Sequence, residues 1–143
     1  MSNQQGEVPL RVRPLLRRLK AALPFLPRPL PEQLEAVDII LVDRATMAKV
    51  HGDFLGDPTE TDVITFPYGE ILVCPVVARD QAAAHGLSTD EEVLLYGLHG
   101  LLHLAGYDDT RPKLAKEMAE AQERLLRRVL AAKEHKERRK RNG

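Results

Sequence analysis

Apolar residues recur along 11–23 at Val12, Leu15, Leu16, Leu19 and Leu23, with Arg and Lys between them. Steps of three and four place them on one face of a helix and turn the cations outward. Pro24 stops that helix, and Pro24, Pro27, Pro29 and Pro31 make a stiff connector unsuited to a helix interior or a central strand. The period then changes. Residues 37–42, Val-Asp-Ile-Ile-Leu-Val, form a nearly continuous β-branched run that predicts a first strand buried on both faces. Asp43 is placed to cap a short helix over 44–54, with Met47, Val50 and Phe54 on one side. Residues 57–60 read as a loop, and 62–66 and 70–74 as two short strands broken by Pro67-Tyr68-Gly69 into a hairpin or corner.

The second half of the chain is helical in period. Residues 76–85 predict a helix ending at Gly86, and Ser88-Thr89-Asp90-Glu91 is a capping-box pattern that starts the next helix at Thr89 and carries it to about Ala105. Gly106 ends it, and Thr110 is expected to cap a last long helix with Leu114, Met118, Ala121, Leu125 and Val129 as its core-facing stripe. No repeat is evident and the connections are short. The expected fold is therefore α/β (α+β): a small mixed sheet covered by about five helices, one domain over 1–132, and a basic, disordered tail over 133–143.

Length and composition narrow the class. A chain of 143 residues builds one ordinary core, and its 43% apolar content includes no run near the roughly 20 residues a membrane span needs. Residues 1–8 are polar, without the apolar stretch of an export signal. The single cysteine, Cys74, excludes an internal disulfide and agrees with a reducing, cytoplasmic setting; at a strand end it is expected to be buried and inert. The net charge is zero but segregated: residues 1–28 carry a balance of +5, residues 29–110 a balance of −12, and residues 111–143 a balance of +7. Basic arms on an acidic body suit phosphate contact, although charge runs at chain ends are equally what solvated tails look like.

The chemistry lies in His99-Gly100-Leu101-Leu102-His103-Leu104-Ala105-Gly106-Tyr107-Asp108-Asp109. Two histidines four apart on a helix share a face and can ligate one ion. Gly106 lets the backbone reverse so that a carboxylate returns as third ligand, Asp109 being favoured over the adjacent Asp108 by its place ten residues after His99. Three ligands leave a fourth position open, the mark of a catalytic zinc, whose bound water is acidified to a pKa of about 7. Zincin peptidases have this spacing with Glu after the first His; here that residue is Gly100, so a peptidase would lack its proton carrier. No general acid or base is identified. His51 is an isolated histidine before the loop, Asp62 reads as a carboxylate bonding amides at a strand start, and His85 reads as a cap near a helix C-terminus.

This segment resembles the signature of the YbeY family of bacterial endoribonucleases, His-Gly-x-Leu-His-Leu-x-Gly-Tyr-Asp-His, and Thr61-Asp62-Val63-Ile64-Thr65-Phe66-Pro67 resembles that family's Thr-Asp-Val-Leu-Ser-Phe-Pro block. The resemblance covers roughly residues 35–130. It implies one zinc ion per chain held by His99, His103 and Asp109, with Asp109 standing where the family normally has a third His. Leu55 stands where the family has an Arg thought to contact RNA, for which Arg111 or the basic N-terminal helix is a substitute. The implied activity is zinc-dependent cleavage of single-stranded RNA in 16S rRNA 3′-end maturation and ribosome quality control. Ribosomal RNA and the ribosome or its proteins are the implied partners, with neither DNA nor membrane. Two rival readings stand beside it: a zincin-like metallopeptidase, and a ribosome-associated binding protein whose metal is structural.

Overall fold

In the computed structural model, residues 1–56 and 61–142 are described, with side chains described through residue 131. The β-branched run after the proline connector becomes β2 (Asp38–Val42), and it pairs in parallel with two neighbours. One neighbour is β1 (Ser2–Gln4), the other is β4 (Glu70–Val73), and β3 (Val63–Phe66) closes the far side antiparallel to β4. The sheet order is β1-β2-β4-β3, with Ile40 opposite Leu72 and Ile64 opposite Leu72 on its other side. The hairpin expected around Pro67-Tyr68-Gly69 is therefore present.

Strand β1 has no counterpart in the sequence reading, which took 37–42 as the first strand. Its Ser-Asn-Gln sequence lacks apolar alternation, and its pairing rests on backbone hydrogen bonds to the open edge of β2.

The helices are α1 (Val12–Ala22), α2 (Arg44–Leu55), α3 (Pro75–Ala82), α4 (Thr89–Leu104) and α5 (Pro112–Asn142). One face of the sheet, through Ile39, Leu41, Ile71 and Val73, joins the cluster formed with α1, α4 and α5. The other face, through Val42, Ile64 and Leu72, packs with Met47 of α2, Val8 and the start of α3. Helix α4 is the hub: Leu94, Leu98 and Leu102 are fully buried at successive turns, each contributing roughly 1.5–3 kcal/mol of burial free energy. Its start is the expected capping box, with Glu91 N donating to Ser88 Oγ at 3.2 Å and Ser88 N donating to Glu91 Oε1 at 2.9 Å. Asp43 caps α2 as expected, its Oδ1 accepting from Thr46 N at 2.7 Å, and that bond lowers the Asp43 pKa.

Three local expectations need refinement. Of the three apolar residues on one side of α2, Met47 is buried and Val50 packs against the core, but Phe54 is 68% exposed and its ring meets Phe66 of β3. Helix α5 starts at Pro112, whose fixed φ and missing N–H suit a first helical position, while the Thr110 amide is taken by Asp108 Oδ1 at 2.8 Å. Residues 83–85 tighten into a 3-10 turn before Gly86 rather than continuing α3. The α5 stripe is buried through Met118, Ala121, Leu125 and Val129. The backbone of α5 runs to Asn142, so the expected basic tail begins within it, on side chains outside the described residues. The loop expected at 57–60 also lies outside the described residues. Among the described residues no helix is long and apolar enough to cross a membrane.

Candidate metal centre

The last two turns of α4 present His99 and His103 on one face, with their ring centroids 4.6 Å apart and their Nε2 atoms 3.0 Å apart. Helix α4 ends at Leu104, and two residues on, Gly106 takes a φ of 100°, a left-handed value that costs a residue with Cβ dearly. The reversal is closed by Tyr107 N donating to Leu102 O and by Asp108 Oδ1 accepting the Thr110 amide. It delivers Asp109 to the imidazoles, with Oδ2 3.6 Å from His103 Nε2 and 3.9 Å from His99 Nε2. The two neighbouring carboxylates are placed differently. Asp108 is held in the turn, where the Thr110 backbone amide lowers its pKa, and Asp109 faces the histidines.

Each imidazole is oriented from behind. His99 Nδ1 lies 2.6 Å from Gln122 Oε1 on α5, and His103 Nδ1 lies 3.1 Å from the Tyr107 carbonyl. Both acceptors lack a proton, so both Nδ1 atoms donate and both Nε2 atoms keep their lone pairs toward the cleft. Burial holds the His99 pKa below the usual histidine value despite the opposing bond to Gln122, which favours the neutral ring that a ligand must be.

The donor atoms of His99, His103 and Asp109 lie within 4.8 Å of one another. Two ligands of a tetrahedral zinc, each about 2.0–2.1 Å from it, stand roughly 3.3 Å apart, and the three observed separations bracket that value. The residues therefore fit a divalent ion with nitrogen and oxygen ligands. The cluster lies in an open cleft of about 730 Å³, lined also by Pro31, Gln33, Asp62, Val63, Thr65 and Pro67.

Gly100 faces the other way. A Cβ there would come 2.7 Å from Ile71 Cγ2 on β4, so the position where a zincin carries its glutamate is packed against the sheet and has no room for one. Asp62 is tied at the start of β3, its Oδ1 accepting from Val63 N at 2.8 Å and from Thr61 Oγ1 at 3.3 Å, as expected, and it also lines the cleft. His85 is not a simple helix cap: its Nδ1 lies 2.6 Å from Glu92 Oε1, a wholly buried carboxylate that needs a partner. His51 is on α2 and is not among the cleft-lining residues. Leu55 is 62% exposed at the end of α2, and Arg111 is exposed just before α5. Cys74 is buried, and burial pushes its thiol pKa up, as an inert cysteine requires.

Two residues escaped the sequence reading. Gln122 gives no signal of its own on an exposed-looking helix. Arg28 sits in the proline connector, yet its guanidinium lies 4.1 Å over the Tyr107 ring and its Nη1 donates to Gly106 O at 3.3 Å, fastening the turn that carries Asp109.

Fold and site together define a single-sheet α/β domain with a His-His-Asp cluster, able to hold a metal ion, at the floor of an open cleft. The model of the Endoribonuclease YbeY family matches residues 1–130. Endoribonuclease YbeY of Renibacterium salmoninarum is 40% identical over 107 residues, covering 63% of this chain and 68% of that protein. The protein of the same name from Protochlamydia amoebophila is 43% identical over 103 residues, covering 64% and 69%. The solution structure of TM1509 from Thermotoga maritima superposes with a TM-score of 0.61 at 28% identity, covering 94% of this chain and 91% of that one. The chain belongs to the endoribonuclease YbeY family. Membership makes it a hydrolase of the nuclease class with RNA as its substrate, and the match extends upstream of the 35–130 stretch on which the motifs were read.

Proposed function

We propose that this chain is a zinc-dependent endoribonuclease that cuts single-stranded RNA, acting in the cytoplasm on ribosomal RNA at the 16S 3′ end and in ribosome quality control, with the ribosome or its proteins as partners. The observation that carries the reading is the convergence of His99 Nε2, His103 Nε2 and Asp109 Oδ2 on one point of an open cleft, with both Nδ1 atoms already engaged. His99, His103 and Asp109 would hold a zinc ion there, which would supply Lewis acidity toward a phosphoryl oxygen and a bound water. The chain's own residues do the rest. Gln122 and the Tyr107 carbonyl hold the two rings in the ligating tautomer, and Arg28 holds the turn that brings Asp109. The carboxylate of Asp109 neutralises part of the ion's charge, and the open side of the cleft leaves space for a phosphodiester.

The peptidase alternative is disfavoured by Gly100, which is packed against Ile71 where a base would be needed. A binding protein with a structural metal is motivated by Leu55, and one experiment separates it from the enzyme. Zinc-loaded protein is incubated with a single-stranded oligoribonucleotide, beside His103→Ala checked for folding by circular dichroism. Cleavage by the parent, with loss of both zinc and cleavage in the variant, supports the enzyme; a zinc-loaded parent that leaves RNA intact, or a variant that still cuts it, rejects it.

A further inference from the structure

The chain has three Phe, three Tyr and no Trp, and half of those rings meet at one place on the surface. Phe66 of β3 stands edge-on to Phe54 of α2, centroids 5.4 Å apart at 74°, and stacks with Tyr68 at 5.5 Å and 18°. The remaining rings have other partners: Tyr96 is buried, Tyr107 lies under Arg28, and Phe25 lies under Arg128. In the cluster, only Phe66 is partly covered by the core; Phe54 is 68% exposed and Tyr68 69%. One face of Tyr68 rests on Phe66, and its outer face is open to a further flat ring.

The cluster adjoins the cleft. Strand β3 is an outer strand of the sheet, and its side chains alternate: Val63 and Thr65 line the cleft with His99, His103 and Asp109, while Phe66 turns to the opposite face. Pro67, between Phe66 and Tyr68, also lines the cleft. Pro67 thus links the cleft wall directly to the two rings that flank it in sequence. Residues 29–110, from which the cluster comes, carry a balance of −12, and stacking on a ring is a contact that needs no positive charge.

We propose that Phe54, Phe66 and Tyr68 form a stacking platform for unpaired bases of single-stranded RNA passing out of the metal cleft across Pro67. The proposal rests on the nuclease reading of that cleft. Every base has a flat face, and stacking on an aromatic ring is sequence-tolerant and needs no charge. A base-paired duplex keeps those faces covered, so the platform selects single strands.

The test uses the full chain in EDTA, which prevents cleavage, with a single-stranded oligoribonucleotide carrying 2-aminopurine, whose fluorescence is quenched by stacking. The parent should bind and quench it, and should bind the corresponding duplex weakly. Phe54→Ala and Tyr68→Ala, both at exposed positions, should each weaken binding about tenfold and remove quenching, whereas Tyr68→Phe keeps both. Binding and quenching unchanged in the double alanine variant overturn the platform while leaving the nuclease intact, as zinc-dependent cleavage by the parent would show. A parent that neither binds nor cleaves RNA overturns both readings. If the double variant instead turns a sedimenting dimer into a monomer with RNA binding unchanged, the rings join two copies of the chain and the proposal falls.

Discussion

Gln122 Oε1 lies 2.6 Å from His99 Nδ1, a bond between α5 and α4 that spans 23 residues of sequence and decides which nitrogen of His99 faces the cleft. A neutral amide serves where histidine ligands often have a carboxylate, and Asp109 and Asp62 bring negative charge to the cleft instead.

Replacing that acceptor should loosen the ion without unfolding the chain. Gln122→Ala is expected to weaken zinc binding about 10–100-fold in competition with a chromogenic chelator. In Gln122→Glu the acceptor remains and zinc stays bound. Equal affinity in the parent and Gln122→Ala would show that the His99 tautomer is set elsewhere.

Asp108 and Asp109 are adjacent and chemically alike, yet their substitutions should part company. Asp109→Ala should lose bound zinc, read by elemental analysis of the purified protein. Asp108→Ala removes only a turn bond to the Thr110 amide and should retain the ion. The reverse pattern would mean that the turn re-forms with Asp108 inward.

Gly100→Ala places a Cβ 2.7 Å from Ile71 Cγ2. Overpacking between α4 and β4 is expected to cost about 1–3 kcal/mol in urea denaturation. Ile71→Ala leaves a cavity, and in the double variant the new Cβ has space, so the two losses should sum to more than the double variant shows. Strict additivity would place the clash somewhere other than Ile71.

Metal-free protein should lose stability as pH falls below about 6.5, the ordinary histidine value. Burial lowers the folded pKa of His99, so below that value the unfolded chain takes up a proton that the folded chain refuses, and unfolding gains. Thermal midpoints at pH 7.5 and pH 5 measure the drop, which should shrink in His99→Gln. A drop of the same size in that variant would assign the effect to other groups.

The starts of α2 and α4 were legible because capping is local: Asp43 and Ser88 bond amides within three residues, and a short sequence window contains both partners. The His99–His103 pair was legible for the same reason, since a four-residue step on a helix fixes a shared face whatever surrounds it. Gly106 announced the turn, and the length of that turn brought Asp109 within reach of the rings. Tertiary structure decided everything that depends on partners distant in sequence. It turned Asp109 rather than Asp108 toward the imidazoles, set Gln122 behind His99, fastened Arg28 over Tyr107, and recruited the polar Ser2–Gln4 segment as a strand. It also turned Phe54 outward, because amphipathic spacing gives a helix a side but does not say where the sheet beneath it ends.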